Sequence, residues 1–275
     1  MPWLLGFFIW TAGPMLYSLW LSLTRWDLFT PAVYIGLENY QRLFTNDPDF
    51  WQALRVTSIY TFVQVPLGLA SAMAIALLMN QAVRGINYFR TIYYLPAVLP
   101  AVAVAVLWMW VFNPRFGIMN TILAWFGIQG PNWLGDPNWA LWALIVMSMW
   151  SVGGSMIIYL AGLKGIPQEL YEAADIDGAG PMHKFWSITL PQMTPTIFFT
   201  LVMGIIGSFQ TFTQAYVMTN GGPQKATFFY LFYLFQMAFE RFQMGYASAM
   251  AWVLFIIILA FTLLVLRSSS LWVYY

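Results

Sequence analysis

Two polar clusters stand out in a chain that is 61% hydrophobic and only 8% charged. The first sets Ser208, Thr211 and Gln214 at successive i,i+3 steps with Gln210 beside them, and Ser148, Ser151 and Ser155 around Gly153-Gly154. On helices, that spacing places each set along one face. These groups are uncharged, so their chemistry is hydrogen bonding. They suit a ligand rich in hydroxyls, with Trp150 or Phe209 stacking on its ring. They suit equally well the joining of neighbouring helices, where small residues also permit close approach. The residues alone leave both readings open. The second cluster holds Glu169, Glu172, Asp175, Asp177 and Lys184, with the only histidine, His183.

Neither cluster has the makings of a catalyst. One histidine and no cysteine are too few for a His- or thiolate-based metal site. The phosphate-cradling pattern G-x-x-x-x-G-K-[ST] is missing, so no catalytic residue, metal or cofactor is expected in this chain. A formal net charge of +1 gives no reason to expect nucleic acid as a partner.

The elements that must position these groups are membrane spans. A soluble domain carries about 25% charged residues, far more than here, and a spanning helix needs about 20 mainly apolar residues. Six stretches qualify: residues 3–23, 56–79, 92–112, 139–163, 195–218 and 246–266. Gly13-Pro14 marks a kink in the first, and Pro96 and Pro100 lie near the start of the third. No Asp, Glu, Lys, Arg or His falls within their cores. Ion-coupled carriers use such groups, which speaks against a secondary transporter. A membrane scaffold without transport is the other alternative. Residues 228–239 are apolar but too short to span, and read as an interfacial or re-entrant helix. Residues 117–126 read as a short surface helix, closed by the turn signals Gly130-Pro131 and Gly135-Asp136-Pro137.

The second cluster lies between the fourth and fifth spans. Pro167 suits a first helical turn and Glu169 complements its positive end. Gly178 and Gly180 end that helix, and Pro181 prevents its return. A short polar helix between spans has no core of its own, which makes it either an ordinary loop or a docking element. Loop cations do not orient the chain. Arg84, Arg90, Lys164, Lys184 and Arg267 lie on one side, against Arg25, Arg42, Arg55, Arg115, Lys225 and Arg241 on the other.

The string Glu172-Ala173-Ala174-Asp175-Ile176-Asp177-Gly178, followed by Ile188-Thr189-Leu190-Pro191, resembles the cytoplasmic loop of permease subunits in binding-protein-dependent ABC importers. Further segments are similar to the carbohydrate-type members, which take maltose, oligosaccharides or glycerol-3-phosphate. Among them are Gly36-Leu37-Glu38-Asn39-Tyr40, Asn132-Trp133-Leu134, Gly221-Gly222-Pro223, Gly245-Tyr246-Ala247-Ser248-Ala249 and Trp272-Val273-Tyr274-Tyr275. Arg55-Val56-Thr57 departs from the usual Asn-Thr pair, and Ser268-Ser269-Ser270 replaces a charged tail.

The resemblance implies an all-α, polytopic integral membrane protein. It has six transmembrane helices in a single transmembrane domain over residues 1–275, with a short native N-terminal tail missing. A cytoplasmic coupling helix lies between spans four and five, and both termini lie inside a bacterial or archaeal plasma membrane. Glu172, Ala173, Ala174, Asp177, Gly178, Leu190 and Pro191 would couple to the ATPase. Ser148, Ser151, Ser208, Thr211 and Gln214 would line the path of a sugar or related polyol. The implied partners are a second permease chain, two ATPase subunits that bind ATP and Mg, an extracytoplasmic solute-binding protein and the lipid membrane.

Overall fold

The computed structural model describes residues 2–274, so Tyr275 of the terminal motif lies outside the described residues. The described chain is mostly helical, and its strands are a pair of two-residue antiparallel ones, β1 Thr24–Arg25 and β2 Val33–Tyr34. Between them Asp27 accepts hydrogen bonds from the Thr30 hydroxyl and N–H at 2.7 and 2.8 Å. These bonds hold its carboxyl below the usual carboxylate range.

Four helices are each long and apolar enough to cross a membrane, and two bent pairs raise the number to six if each pair is one span. The first is α1, Pro2–Ser22. The expected irregularity at Gly13-Pro14 takes the form of a π turn at Phe8–Ala12. A β-carbon on Gly13 would lie 2.9 Å from the Phe8 carbonyl oxygen, so the glycine admits the misfit. After the short α2, Glu38–Thr45, comes α3, Pro48–Met79. It begins well before residue 56, the expected boundary. The reason is Asp47-Pro48: the Asp47 side chain accepts from the N–H groups of Asp49 and Phe50 while Pro48 fills the first helical position. At 32 residues, α3 is about 48 Å long and outruns a bilayer core of about 30 Å.

The third stretch is two helices, α4 Ile86–Val98 and α5 Ala101–Val111, bent by 102°. Pro100 explains the break, since it holds Leu99 in an extended conformation. Then come α6, Ile118–Trp125, and a second pair, α7 Ala140–Trp150 and α8 Gly153–Lys164, bent by 46°. Next are the exposed α9, Gln168–Ile176, and α10, Pro181–Phe209, which contains a π turn at Phe185–Thr189 just before Pro191. Proline lacks the N–H that would bond one turn back, and the wider turn absorbs the gap. The run at residues 228–239 forms a short helix, α11 Tyr230–Phe235, followed by a π turn at Gln236–Glu240. The last helix is α12, Met244–Ser269.

At the centre, α3 packs against α7, α8, α10 and α11. Two packed clusters share it. One gathers Phe50, Tyr60, Trp108, Phe229 and Tyr230 around its N-terminal half. The other gathers Ala72, Ala76, Met156, Tyr159 and Met193 around its C-terminal half. Small side chains allow the close packing that drives association in lipid. At Gly162, for example, a β-carbon would lie 2.8 Å from Thr196 Oγ1.

Candidate functional site

Between the two clusters lies a cavity of about 450 Å³. Its wall on α3 runs from Tyr60 through Gln64 to Leu69, and the other walls are helix breaks. Pro96, Leu99 and Ala101 come from the α4–α5 bend, and Ser148, Ser151 and Ser155 from the α7–α8 bend. Gly207, Ser208, Thr211 and Gln214 come from the end of α10 and the turn beyond it. Broken helices leave backbone groups without intrahelical partners, and at membrane depth such backbone is tolerated where it lines a cavity or is buried in protein.

The structure therefore brings Ser148, Ser151, Ser208, Thr211 and Gln214 into one space. Sequence reasoning missed Tyr60, Gln64 and Thr200. Gln64 was the findable one, as a lone amide in an apolar span. The hydroxyls keep capacity for a ligand. Ser148 and Ser208 donate to carbonyls of their own helices, at 2.6 and 3.0 Å, which leaves their lone pairs free to accept. Tyr60 lines the same space as Ser148 and Thr211. Among the described residues, no Asp, Glu, Lys, Arg or His lines the cavity. The expected stacking platform at Phe209 is corrected: Phe209 is buried and stacks on Phe261, with ring centroids 5.5 Å apart. Trp150 meets Trp108 edge-on instead of lining the space.

The second cluster forms a separate knob, as no residue of α9 is buried. Glu172, Ala173 and Asp177 are exposed, Ala174 is partly exposed, and Ile176 is 88% exposed. Ala179 N–H bonds Ala174 O at 2.9 Å and Gly178 N–H bonds Asp175 O at 3.1 Å, closing the helix. Gly178 stands at φ +74°, the left-handed region, with open space where a side chain would go. The knob is tied to α10 by Tyr171 Oη and Thr189 Oγ1, 2.8 Å apart, and by an ion pair of Lys184 with Asp175. Leu190 lines an apolar crevice of about 360 Å³ between α3 and α10. Among the described residues, no cluster of His, Cys, Asp or Glu is arranged to hold a metal ion.

A protein-family profile, the binding-protein-dependent transport system inner membrane component, matches residues 52–271. The chain belongs to that family. A probable ABC transporter permease protein, YesP of Bacillus subtilis, is 48% identical over 278 residues, covering 100% of this chain and 90% of the relative. The trehalose/maltose transport system permease protein MalF of Thermococcus litoralis is 34% identical over 259 residues, covering 92% and 86%. Among solved structures, a bacterial ABC transporter that imports the acidic polysaccharide alginate superposes with a TM-score of 0.85 at 25% identity. That match covers 98% of this chain and 93% of the other. As a family member, this chain is the membrane-embedded component of a binding-protein-dependent importer.

Proposed function

We propose that the 450 Å³ cavity is this permease's share of a translocation path for a sugar or related polyol compound. The observation that carries the proposal is the lining: three helix breaks converge on serines, threonines and glutamines without a charge among them. Such groups donate to and accept from sugar hydroxyls in both directions. The family relatives named for trehalose/maltose and for alginate support carbohydrate as the class of cargo.

In this reading the two bent pairs are single spans, giving six, and α9 is the coupling helix at the cytoplasmic face. Both termini lie on that side of a bacterial or archaeal plasma membrane. A second permease chain completes the path, two ATPase subunits bind ATP and Mg, and an extracytoplasmic binding protein delivers the cargo. A solved relative in complex with an alginate-loaded periplasmic protein supports the last partner.

The mechanism is alternating access, and α10 is its lever. One end carries the ties to Tyr171 and Asp175, and the other carries Ser208, followed closely by Thr211 and Gln214. Over 29 residues it spans about 44 Å as one element. Displacement of α9 by closure of the ATPase dimer therefore reaches the cavity wall without an intervening loop.

Proteoliposomes holding the complete complex, with its binding protein added, test this against a panel of neutral and acidic saccharides and polyols, with amino acids, peptides and ions alongside. ATP-dependent uptake of at least one, weakened by Gln214→Leu, is the expected result. ATP-dependent uptake confined to amino acids, peptides or ions would refute it.

A further inference from the structure

The Asp47 carboxylate, 8% exposed, meets three elements. Its Oδ1 accepts from Asp49 N–H at 3.0 Å and Phe50 N–H at 3.2 Å, which caps α3. Its Oδ2 accepts from the Tyr233 hydroxyl of α11 at 2.6 Å and from the Tyr246 hydroxyl of α12. A buried carboxylate is costly unless its lone pairs are engaged, and here four donors engage them. Arg42 lies over the Tyr246 ring at 4.2 Å and donates to Gln243, so a positive charge stands behind the cluster. Further ties run alongside. Tyr230 N–H donates to Thr57 Oγ1 at 2.8 Å, the Tyr230 hydroxyl donates to Met250 O at 2.8 Å, and Lys225 pairs with Asp49.

What α11 does with this anchorage is visible on its other face. Phe235 packs on Phe212 and Tyr216, with ring centroids 5.0 and 5.5 Å apart, and Phe232 lies 6.4 Å from Phe212. Phe212 sits in the chain between Thr211 and Gln214, both of which line the cavity. From Asp47 the contacts run through Tyr233 to α11, then through Phe235 to Phe212, and so to the polar wall of the cavity.

We propose that Asp47 is a positioning residue for the cavity. It fixes α11 to α3 and α12 as one rigid body, and α11 in turn holds the Thr211–Gln214 segment in place. The functional part of this rests on the cavity being the translocation path. On that basis α11 moves with spans α3 and α12 and is not an independent flap.

The test uses the complete complex, with cysteine-free partner subunits, carrying spin labels on Trp51→Cys of α3 and Phe239→Cys of the turn after α11. Both sites are exposed, and this chain has no native cysteine. Pulsed dipolar spectroscopy should give one narrow distance, equal in the nucleotide-free and vanadate-trapped states. Asp47→Asn keeps an acceptor for the cap but cannot accept from both tyrosines. It should broaden the distribution and lower binding-protein-stimulated ATP hydrolysis by roughly tenfold, in proportion to the loss of a charge-assisted bond. Tyr246→Phe, a milder deletion, should do the same to a lesser degree, and serves if Asp47→Asn fails to assemble. A distance that changes between the two states in the unsubstituted chain overturns the proposal. So does a distribution and hydrolysis rate that neither substitution alters. Failure of every saccharide in the uptake panel, with the distance result intact, would refute the carbohydrate path and leave the rigid body standing.

Discussion

The Tyr171 hydroxyl in α9 stands 2.8 Å from Thr189 Oγ1, in the π turn within α10. This bond and the Lys184–Asp175 ion pair are the side-chain ties between the exposed knob and the helix that reaches the cavity. In the ion pair 19% of the Lys184 side chain and 66% of the Asp175 side chain are accessible, and solvent at the carboxylate screens it toward the range of exposed pairs, about 0–1 kcal/mol. The hydroxyl pair is the better fastener. Tyr171→Phe should leave assembly intact and lower substrate-stimulated ATP hydrolysis about two- to tenfold, the range of one lost hydrogen bond of 0.5–1.5 kcal/mol. Hydrolysis assays on the reconstituted complex check this, and a rate unchanged by the substitution would show that the tie is idle.

Adjacent glycines should behave oppositely. A β-carbon on Gly153 would lie 2.2 Å from the Tyr93 carbonyl oxygen, backbone that cannot give way easily, whereas one on Gly154 would meet nothing within 4 Å. Gly153→Ala should therefore destabilise the α4–α8 contact by about 1–3 kcal/mol, the usual range for overpacking. Gly154→Ala should be neutral. Thermal melting of the purified complex measures both, and equal melting temperatures would contradict the close approach of α8 to α4.

At the cavity wall, Thr211→Val removes a hydroxyl while keeping shape, and Gln214→Leu removes both a donor and an acceptor. One lost bond should weaken substrate affinity by up to about tenfold, with Gln214→Leu the more severe. Uptake assays should show reduced flux in intact complexes. Complexes that fall apart while the survivors transport normally would mark these residues as interhelical glue.

Most of this was legible in the sequence because membrane constraints are strong. Long apolar stretches became helices, and the polar residues at i,i+3 spacing came to line one cavity, though from breaks between helices and not from one continuous helix face. Gly178 ended α9 at positive φ as the Gly-Ala-Gly-Pro sequence indicated. What was hidden depended on contacts distant in sequence. The role of Asp47 becomes visible only when Tyr233 and Tyr246, nearly 200 positions away, are brought to it. Its partial signal, Asp before Pro at a helix start, was present but ordinary. Phe209 carried no mark to show that Phe261 would cover it. The 102° bend at Leu99-Pro100 was not read from the sequence, where residues 92–112 stand as one span with Pro96 and Pro100 noted only as lying near its start.

The proposed orientation, with α9 at the cytoplasmic face, fixes the sidedness of the loops. A cysteine at Asp175 should react with an impermeant maleimide only from the inner side, and one at Asn220 only from the outer side. Reaction of both from the same side would overturn the six-span topology.

The most direct test of the account compares Gly178→Ala with Gly178→Arg. Both place a side chain at φ +74°, where a left-handed residue costs about 1–2 kcal/mol, and the β-carbon that both share would meet nothing within 4 Å in this chain. An ATPase surface seated on α9, as proposed, would admit the methyl group and be obstructed by the long cation. ATP hydrolysis stimulated by the loaded binding protein should survive largely in Gly178→Ala and fall to background in Gly178→Arg, with both complexes assembled. Normal stimulated hydrolysis in Gly178→Arg, or equal losses in the two, would contradict coupling through this helix.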